Sequence, residues 1–252
     1  MIQTSIQALR AAFQFITLLP AGRTAVYQPR EMIAYFPVVG LLLGLLLAVF
    51  DAGACRLWPG TLVPAVLDVI LLIIFTGALH LDGLADSADG LFGHRDTETV
   101  LSIMKDSRIG VMGMTAVLCG LSIKIAAISA LPAEAAWTRF LVLLVVPGLA
   151  RASMIFGIKE LPYGRPDGGT GFDLFDAPIG LKDFRALGLC LILTLFLGWR
   201  GLWLIFVFFA LVQVILYYYR RRMGCITGDM LGAMTEATEA LLFLAAAMMA
   251  AA

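Results

Sequence analysis

The segment His80-Leu81-Asp82-Gly83-Leu84-Ala85-Asp86-Ser87-Ala88-Asp89-Gly90 carries three carboxylates and no Lys or Arg. In a helix, Asp82, Asp86 and Asp89 stand at i, i+4 and i+7, stacked on one face. Like charges so spaced repel, and Gly83 and Gly90 weaken the helix further. A shared cation removes the repulsion. Carboxylate oxygens are hard ligands suited to Mg²⁺, or to Mn²⁺ and Ca²⁺. The competing reading is a solvated helix end at the membrane boundary, but such a face would mix in Lys or Arg. An apolar run leads directly into the segment, so its helix is expected to continue through these aspartates.

A second acidic set begins at Gly228-Asp229 and continues with Glu236 and Glu239, a turn or two inside the last apolar run. Ionisable residues within a span are expensive, face the protein interior and are functional candidates by default. The alternative is that the span starts later than the run. Both acidic sets fall at one membrane face, where they could converge on one site. Cations lie nearby. Lys105 and Arg108 precede a span in Met104-Lys105-Asp106-Ser107-Arg108-Ile109-Gly110, where the preference for cytoplasmic cations would itself explain them. Arg151 is flanked by Ala150 and Ala152 and is harder to explain that way. Carboxylates, a divalent metal and several cations together suit phosphoryl transfer. Lys124, deep in a run, could pair with an interior carboxylate or snorkel.

The loop from Leu161 to Phe172 holds Gly168, Gly169 and Gly171, whose backbone N–H groups could approach an anion beside Arg165. It matches neither a Walker A nor a Rossmann fingerprint, and a plain connector is an equal reading. His80 and His94 flank the acidic segment, and either could take a hydroxyl proton. Zinc spacing and a GxSxG nucleophile motif are both missing.

These residues are positioned by an unusually apolar chain. Of 252 residues, 61% are hydrophobic and 14% charged, with mean hydropathy +0.93. Soluble domains run near 45–50% apolar and about 25% charged, so the bilayer is the expected solvent. The net charge is zero, and no basic stripe points to nucleic acid. Cys55, Cys119, Cys190 and Cys225 lie far apart and read as small apolar residues. Apolar runs near 36–50, 62–80, 110–130, 137–157, 186–198, 201–219 and 230–252 predict an all-α polytopic membrane bundle of about seven transmembrane helices, with six or eight allowed. The run 186–198 is short, and Trp199-Arg200-Gly201 reads as the turn of a helical hairpin. Ile6, Leu9, Phe13 and Ile16 recur at helical spacing, predicting an amphipathic N-terminal helix at the interface. The whole chain, 1–252, reads as one domain.

With the N-terminus inside, thirteen of the eighteen Lys and Arg residues fall in cytoplasmic segments, including Arg10, Arg23 and Arg30. Only Arg56, Arg139 and Arg200 fall opposite. The long polar loops 81–109, 158–185 and 220–229 share the cytoplasmic side.

FPVVGLLLG (36–44), HLDGLADSADGL (80–91), MKDSRIGVMG (104–113), LPYGRPDGGTGF (161–172) and GDMLGAMTEATE (228–239) occur in an order that resembles the cobalamin synthase family, adenosylcobinamide-GDP ribazoletransferase. The likeness spans nearly the whole chain. It implies a multi-spanning, Mg²⁺-dependent enzyme of the bacterial inner membrane. Such an enzyme joins adenosylcobinamide-GDP to α-ribazole or its 5′-phosphate and releases GMP. It also implies roles: Asp82, Asp86 and Asp89 on metal; Glu236 and Glu239 completing the metal shell or orienting the acceptor hydroxyl; Lys105, Arg108 and Arg151 on phosphate. Arg165 with Gly168, Gly169 and Gly171 would close over substrate, and His80 is a candidate proton acceptor. The logic is similar to that of CDP-alcohol phosphotransferases, but Leu84-Ala85-Asp86-Ser87 follows Asp82-Gly83 where they carry the rest of a DGxxAR motif. A cation-coupled transporter is the other alternative, though transporter sites usually sit near the midplane. The expected partners are the two small molecules and the lipid bilayer, and a homo-oligomer is compatible with the sequence.

Overall fold

The computed structural model describes residues 2–22, 29–132, 135–165, 168–169 and 171–249. Arg23, and Pro166, Asp167 and Thr170 of the glycine-rich loop, lie outside the described residues. The helices are α1 (Ile2–Ile16), the short α2 (Pro29–Met32), α3 (Phe36–Leu57), α4 (Val63–Thr76), α5 (Leu79–Leu91), α6 (Thr97–Ile103), α7 (Val111–Ser129), α8 (Ala136–Glu160), α9 (Arg185–Leu195), α10 (Trp199–Arg222) and α11 (Gly228–Met248). An isolated bridge between Tyr163 and Ile226 is the extended pairing among the described residues.

The chain is a multi-pass helical membrane protein. Among the described residues, five helical segments are long and apolar enough to cross: Pro29–Leu57, which contains α3, and α7, α8, α10 and α11. The total is six if α4 and α5 form one broken span. That is fewer than the seven expected, and the runs 62–80 and 186–198 account for the difference. Helices α4 and α9 have 14 and 11 residues. At 1.5 Å per residue they reach about 21 and 17 Å, short of a hydrocarbon core of about 30 Å.

Nor does α4 run on into the acidic segment. Gly77 and Ala78 both adopt φ 59°, and Ala78 N–H donates to the Ile73 carbonyl at 3.1 Å, closing the helix in a Schellman-type stop. Helix α5 then leaves at 91° to α4. Leu18 covers the corner: a Cβ on Gly77 would lie 2.8 Å from its side chain.

Helices α8 and α11 form the centre. Their apolar windows are 89% and 83% buried within the bundle, against 22% for α7 and 28% for α10. The latter two turn residues such as Leu118 and Phe206 outward, toward lipid. Helix α3 meets α8 backbone to backbone, because a Cβ on Gly40 or Gly44 would strike the carbonyls of Pro147 or Leu144. The α9–α10 hairpin exists, but its turn is Phe196–Gly198, and Trp199-Arg200-Gly201 begins α10. In α1 the packed stripe is Ala8, Ala11, Ala12 and Ile16, while Ile6 points outward.

Candidate active site

One end of the bundle gathers the polar loops. Arg222 at the end of α10 donates to the Leu91 and Gly93 carbonyls (3.4 and 2.9 Å) beyond α5. Arg220 meets Glu160 at 3.2 Å. Arg165, from the glycine-rich loop, binds Asp229 at 2.5 Å and the Met104 carbonyl at 3.3 Å. The three loops expected on one side therefore touch one another.

Helices α5 and α11 cross here at backbone distance. A Cβ on Gly83 would lie 2.6 Å from the Asp229 carbonyl, and one on Gly232 would lie 3.3 Å from the His80 Cα. Glycine at both positions lets the helices approach, and that approach brings Asp229 to Asp82 and Asp86. The charges of Asp82, Asp229 and Asp89 all bear on Asp86, and Arg165 is the cation that answers them. Asp82 is exposed and Asp86 half-buried. The convergence of the two acidic sets holds for Asp229, which the sequence reading noted without giving it a role. Its place in the first turn of α11, after the N-cap Thr227, was the available signal.

Asp89, a turn further along α5, also reaches the start of α7. Its carboxylate accepts from the backbone N–H groups of Gly110 (2.6 Å) and Gly113 (2.8 Å), capping the start of α7, where a carboxylate is favoured. A Cβ on Gly110 or Gly113 would collide with the Asp89 carboxylate, which is why both positions are glycine. Each oxygen accepts one N–H, so Asp89 fastens the start of α7 to α5.

Glu236, Glu239 and Arg151 lie away from Asp82 and Asp86. Glu236 is seven residues along α11 from Asp229, about 10 Å at 1.5 Å per residue. Lys124 of α7 donates to Glu236 at 2.5 Å and to Glu239 at 2.6 Å, and Arg151 of α8 pairs with Glu239. These four side chains are 1–6% exposed. Two cations and two carboxylates balance, which decides the open question about Lys124: it pairs with interior carboxylates. Arg151 is enclosed and paired with Glu239. His80 is buried beside this cluster, with neither ring nitrogen hydrogen-bonded among the described residues.

Of the remaining candidates, Lys105 and Arg108 are exposed. Arg108 is held by Asp106 (Nη2–Oδ2 2.5 Å), and these hydrogen bonds pull the Asp106 carboxyl down to about 2. His94 is exposed. Gly168 and Gly169 adopt φ 94° and 142°, conformations that glycine tolerates. The Gly168 N–H turns back to the Arg165 carbonyl (3.3 Å), and a Cβ on Gly171 would lie 3.4 Å from the Gly228 Cα, so this turn seats the loop on the start of α11. At the opposite end, Arg139 holds Asp51 in a bidentate pair (2.7 and 2.6 Å), with Asp68 enclosed beside them. Sequence reasoning missed Asp51 and Asp68, although they are intramembrane acids just as Glu236 and Glu239 are.

Residues 8–247 match the profile of the family described as cobalamin-5-phosphate synthase. The chain belongs to the cobalamin-5-phosphate synthase family. Among its relatives, the adenosylcobinamide-GDP ribazoletransferase of Syntrophobacter fumaroxidans is 37% identical over 94% of this chain and 97% of that protein. The protein of the same name from Desulforamulus reducens is 34% identical over 92% of each chain, and that of Pseudomonas paraeruginosa 35% over 98% and 100%. No solved structure matches.

Within this cobalamin-5-phosphate synthase family member, the fit of a divalent metal can be judged from the donors. The described residues hold no group of three or more His, Cys, Asp or Glu side chains that could by themselves hold a metal ion. Asp82 and Asp86, with Asp229 beside them, remain. Mg²⁺ commonly takes one or two carboxylates and completes its shell with water and substrate phosphate, so the donors fit a metal shared with a diphosphate.

Proposed function

We infer that this chain catalyses the joining of adenosylcobinamide-GDP to α-ribazole or its 5′-phosphate, the final joining step of cobalamin biosynthesis. The ribose hydroxyl oxygen of the ribazole attacks the phosphorus that carries the cobinamide, and the anhydride bond to GMP breaks. The meeting of Asp82 and Asp86 with Asp229 and Arg165 carries the reading. It is supported by relatives named for this reaction.

Asp82 and Asp86 would hold Mg²⁺, which when bound would supply positive charge to the diphosphate. Arg165 lies at the same place, and exchanging Asp229 for a phosphate oxygen lets it bind the donor. Lys105 and Arg108 extend from the loop whose Met104 carbonyl already accepts Arg165, and they add charge at the rim. The enclosure of His80 favours a carboxylate of the Asp82–Asp86 pair as acceptor of the hydroxyl proton. Glu236, Glu239, Lys124 and Arg151 lock α7, α8 and α11 beneath the site.

The protein resides in the bacterial inner membrane with the site facing the cytoplasm. Support comes from the distribution of Lys and Arg, including Arg220, Arg221 and Arg222 at the loop-bearing end. The test is GMP release by detergent-purified protein given both substrates, with Mg²⁺ and then with chelator. Metal-dependent GMP together with a cobalamin product supports the reading, and no GMP from folded protein overturns it.

A further inference from the structure

The walls of a cavity of about 650 Å³ include Pro162, Tyr163, Phe175, Pro178 and Ile179. Its volume falls within the range of about 300–1,000 Å³ common for small-molecule sites. Lys159 and Glu160, both substantially exposed, form its polar rim. The aromatic wall is organised: the Tyr163 ring lies 5.0 Å from Phe175 and 5.7 Å from Phe172. This wall is tied directly to the phosphate-facing residues. Ile226 N–H donates to the Pro162 carbonyl at 3.0 Å, and Gly164 N–H donates to the Ile226 carbonyl at 2.9 Å. Tyr163 is thus two residues before Arg165, and the Ile226 that bridges to it is three residues before Asp229.

An aromatic belt at the lipid headgroups would also collect Tyr and Phe. A belt has no need of a concave wall, a charged rim or a backbone splice to the acidic site. All three suit a flat ring that must stack while its attached phosphate or ribose reaches Arg165 and the aspartates. We propose that this cavity receives the heteroaromatic base of a substrate, stacked on Tyr163 and Phe175. The inference rests on the reading above. Two bases in that reaction share the chemistry: the base of the ribazole acceptor and the guanine of the donor.

The experiment uses the full-length chain in detergent, comparing wild type with Tyr163→Leu and Phe175→Leu, which keep apolar bulk but remove the ring. Tyr163→Phe and Phe175→Tyr are the conservative partners. Stacking on an aromatic ring implies that KM for one substrate rises about tenfold, with kcat and the other substrate's KM unchanged and the conservative variants near wild type. A rise for the acceptor assigns the cavity to its base, and a rise for the donor assigns it to guanine. Unchanged KM values for both substrates, or a loss confined to kcat, overturn the proposal. If wild type releases no GMP, the underlying reaction is wrong, and direct binding decides the cavity separately. Benzimidazole riboside or GDP, each titrated alone by calorimetry, should then bind wild type and lose affinity in Phe175→Leu. No binding of either, or equal binding by the variant, overturns the proposal.

Discussion

Lys124→Met is the perturbation that best tests how the bundle beneath the site is held. Lys124 is the cation between Glu236 (2.5 Å) and Glu239 (2.6 Å), and Arg151 answers Glu239. Methionine matches the length of the lysine stem but leaves two enclosed carboxylates facing one arginine. Removing one partner of a buried ion pair costs about 3–5 kcal/mol, most of it the penalty of the stranded charge. At about 2–4 °C per kcal/mol for a chain of this size, the apparent Tm in detergent should fall by roughly 6–20 °C. Glu236→Gln added to Lys124→Met restores balance, since Arg151 and Glu239 then pair alone. The double variant should recover most of the loss, a coupling of roughly 2–3 kcal/mol in the cycle. Differential scanning fluorimetry gives the stabilities, and GMP release gives the turnover. A single variant within about 1 kcal/mol of wild type would refute the buried-cluster account. Recovered stability with turnover still lost would show that Glu236 does chemistry as well as packing.

Four further outcomes test the side-chain roles and the backbone turn described above. Asp82→Ala and Asp86→Ala should abolish Mn²⁺ binding, followed by paramagnetic resonance, and turnover, without lowering Tm. Asp89→Asn should instead cost stability, about 1–3 kcal/mol from weakened charged hydrogen bonds to Gly110 and Gly113, with Mn²⁺ binding largely kept. Arg165→Gln removes the cation facing Asp229 and Asp86, so Mn²⁺ should bind the substrate-free protein more tightly while the donor's KM rises; looser metal binding would contradict that placement. Ala78 sits at φ 59°, which an L-residue adopts at a cost of about 1 kcal/mol or more. Ala78→Gly should therefore raise the unfolding free energy by roughly 0.5–1 kcal/mol, and Ala78→Val should lower it, both read by thermal unfolding.

Membrane residence, the helical class, the polar loops gathered at one end and the family motifs were legible in the chain. Each depends on local composition or on residue order, and neither needs a contact map. Asp82 and Asp86 were legible for the same reason, because i, i+4 spacing on a helix is a local property. The hydrogen-bond partners of the i+7 residue were not. Asp89 turns to the start of α7, a choice made by Gly110 and Gly113 more than twenty residues on. The uninterrupted helix through residues 62–91 failed because two consecutive left-handed residues stop it, and an apolar run does not encode that bend. Glu236, Glu239 and Arg151 carry charge inside spans, which marked them as exceptional but left their partners undetermined. Pairing energy depends on which helices face each other, and Lys124 faces α11 only after α7 and α11 have packed. The sequence by itself determined what the protein dissolves in and which residue types it can bring to a phosphate. Tertiary packing alone, through the close approach of α5 and α11 at Gly83 and Gly232, decided that Asp229 comes to α5 and that the deeper glutamates pair with Lys124 and Arg151.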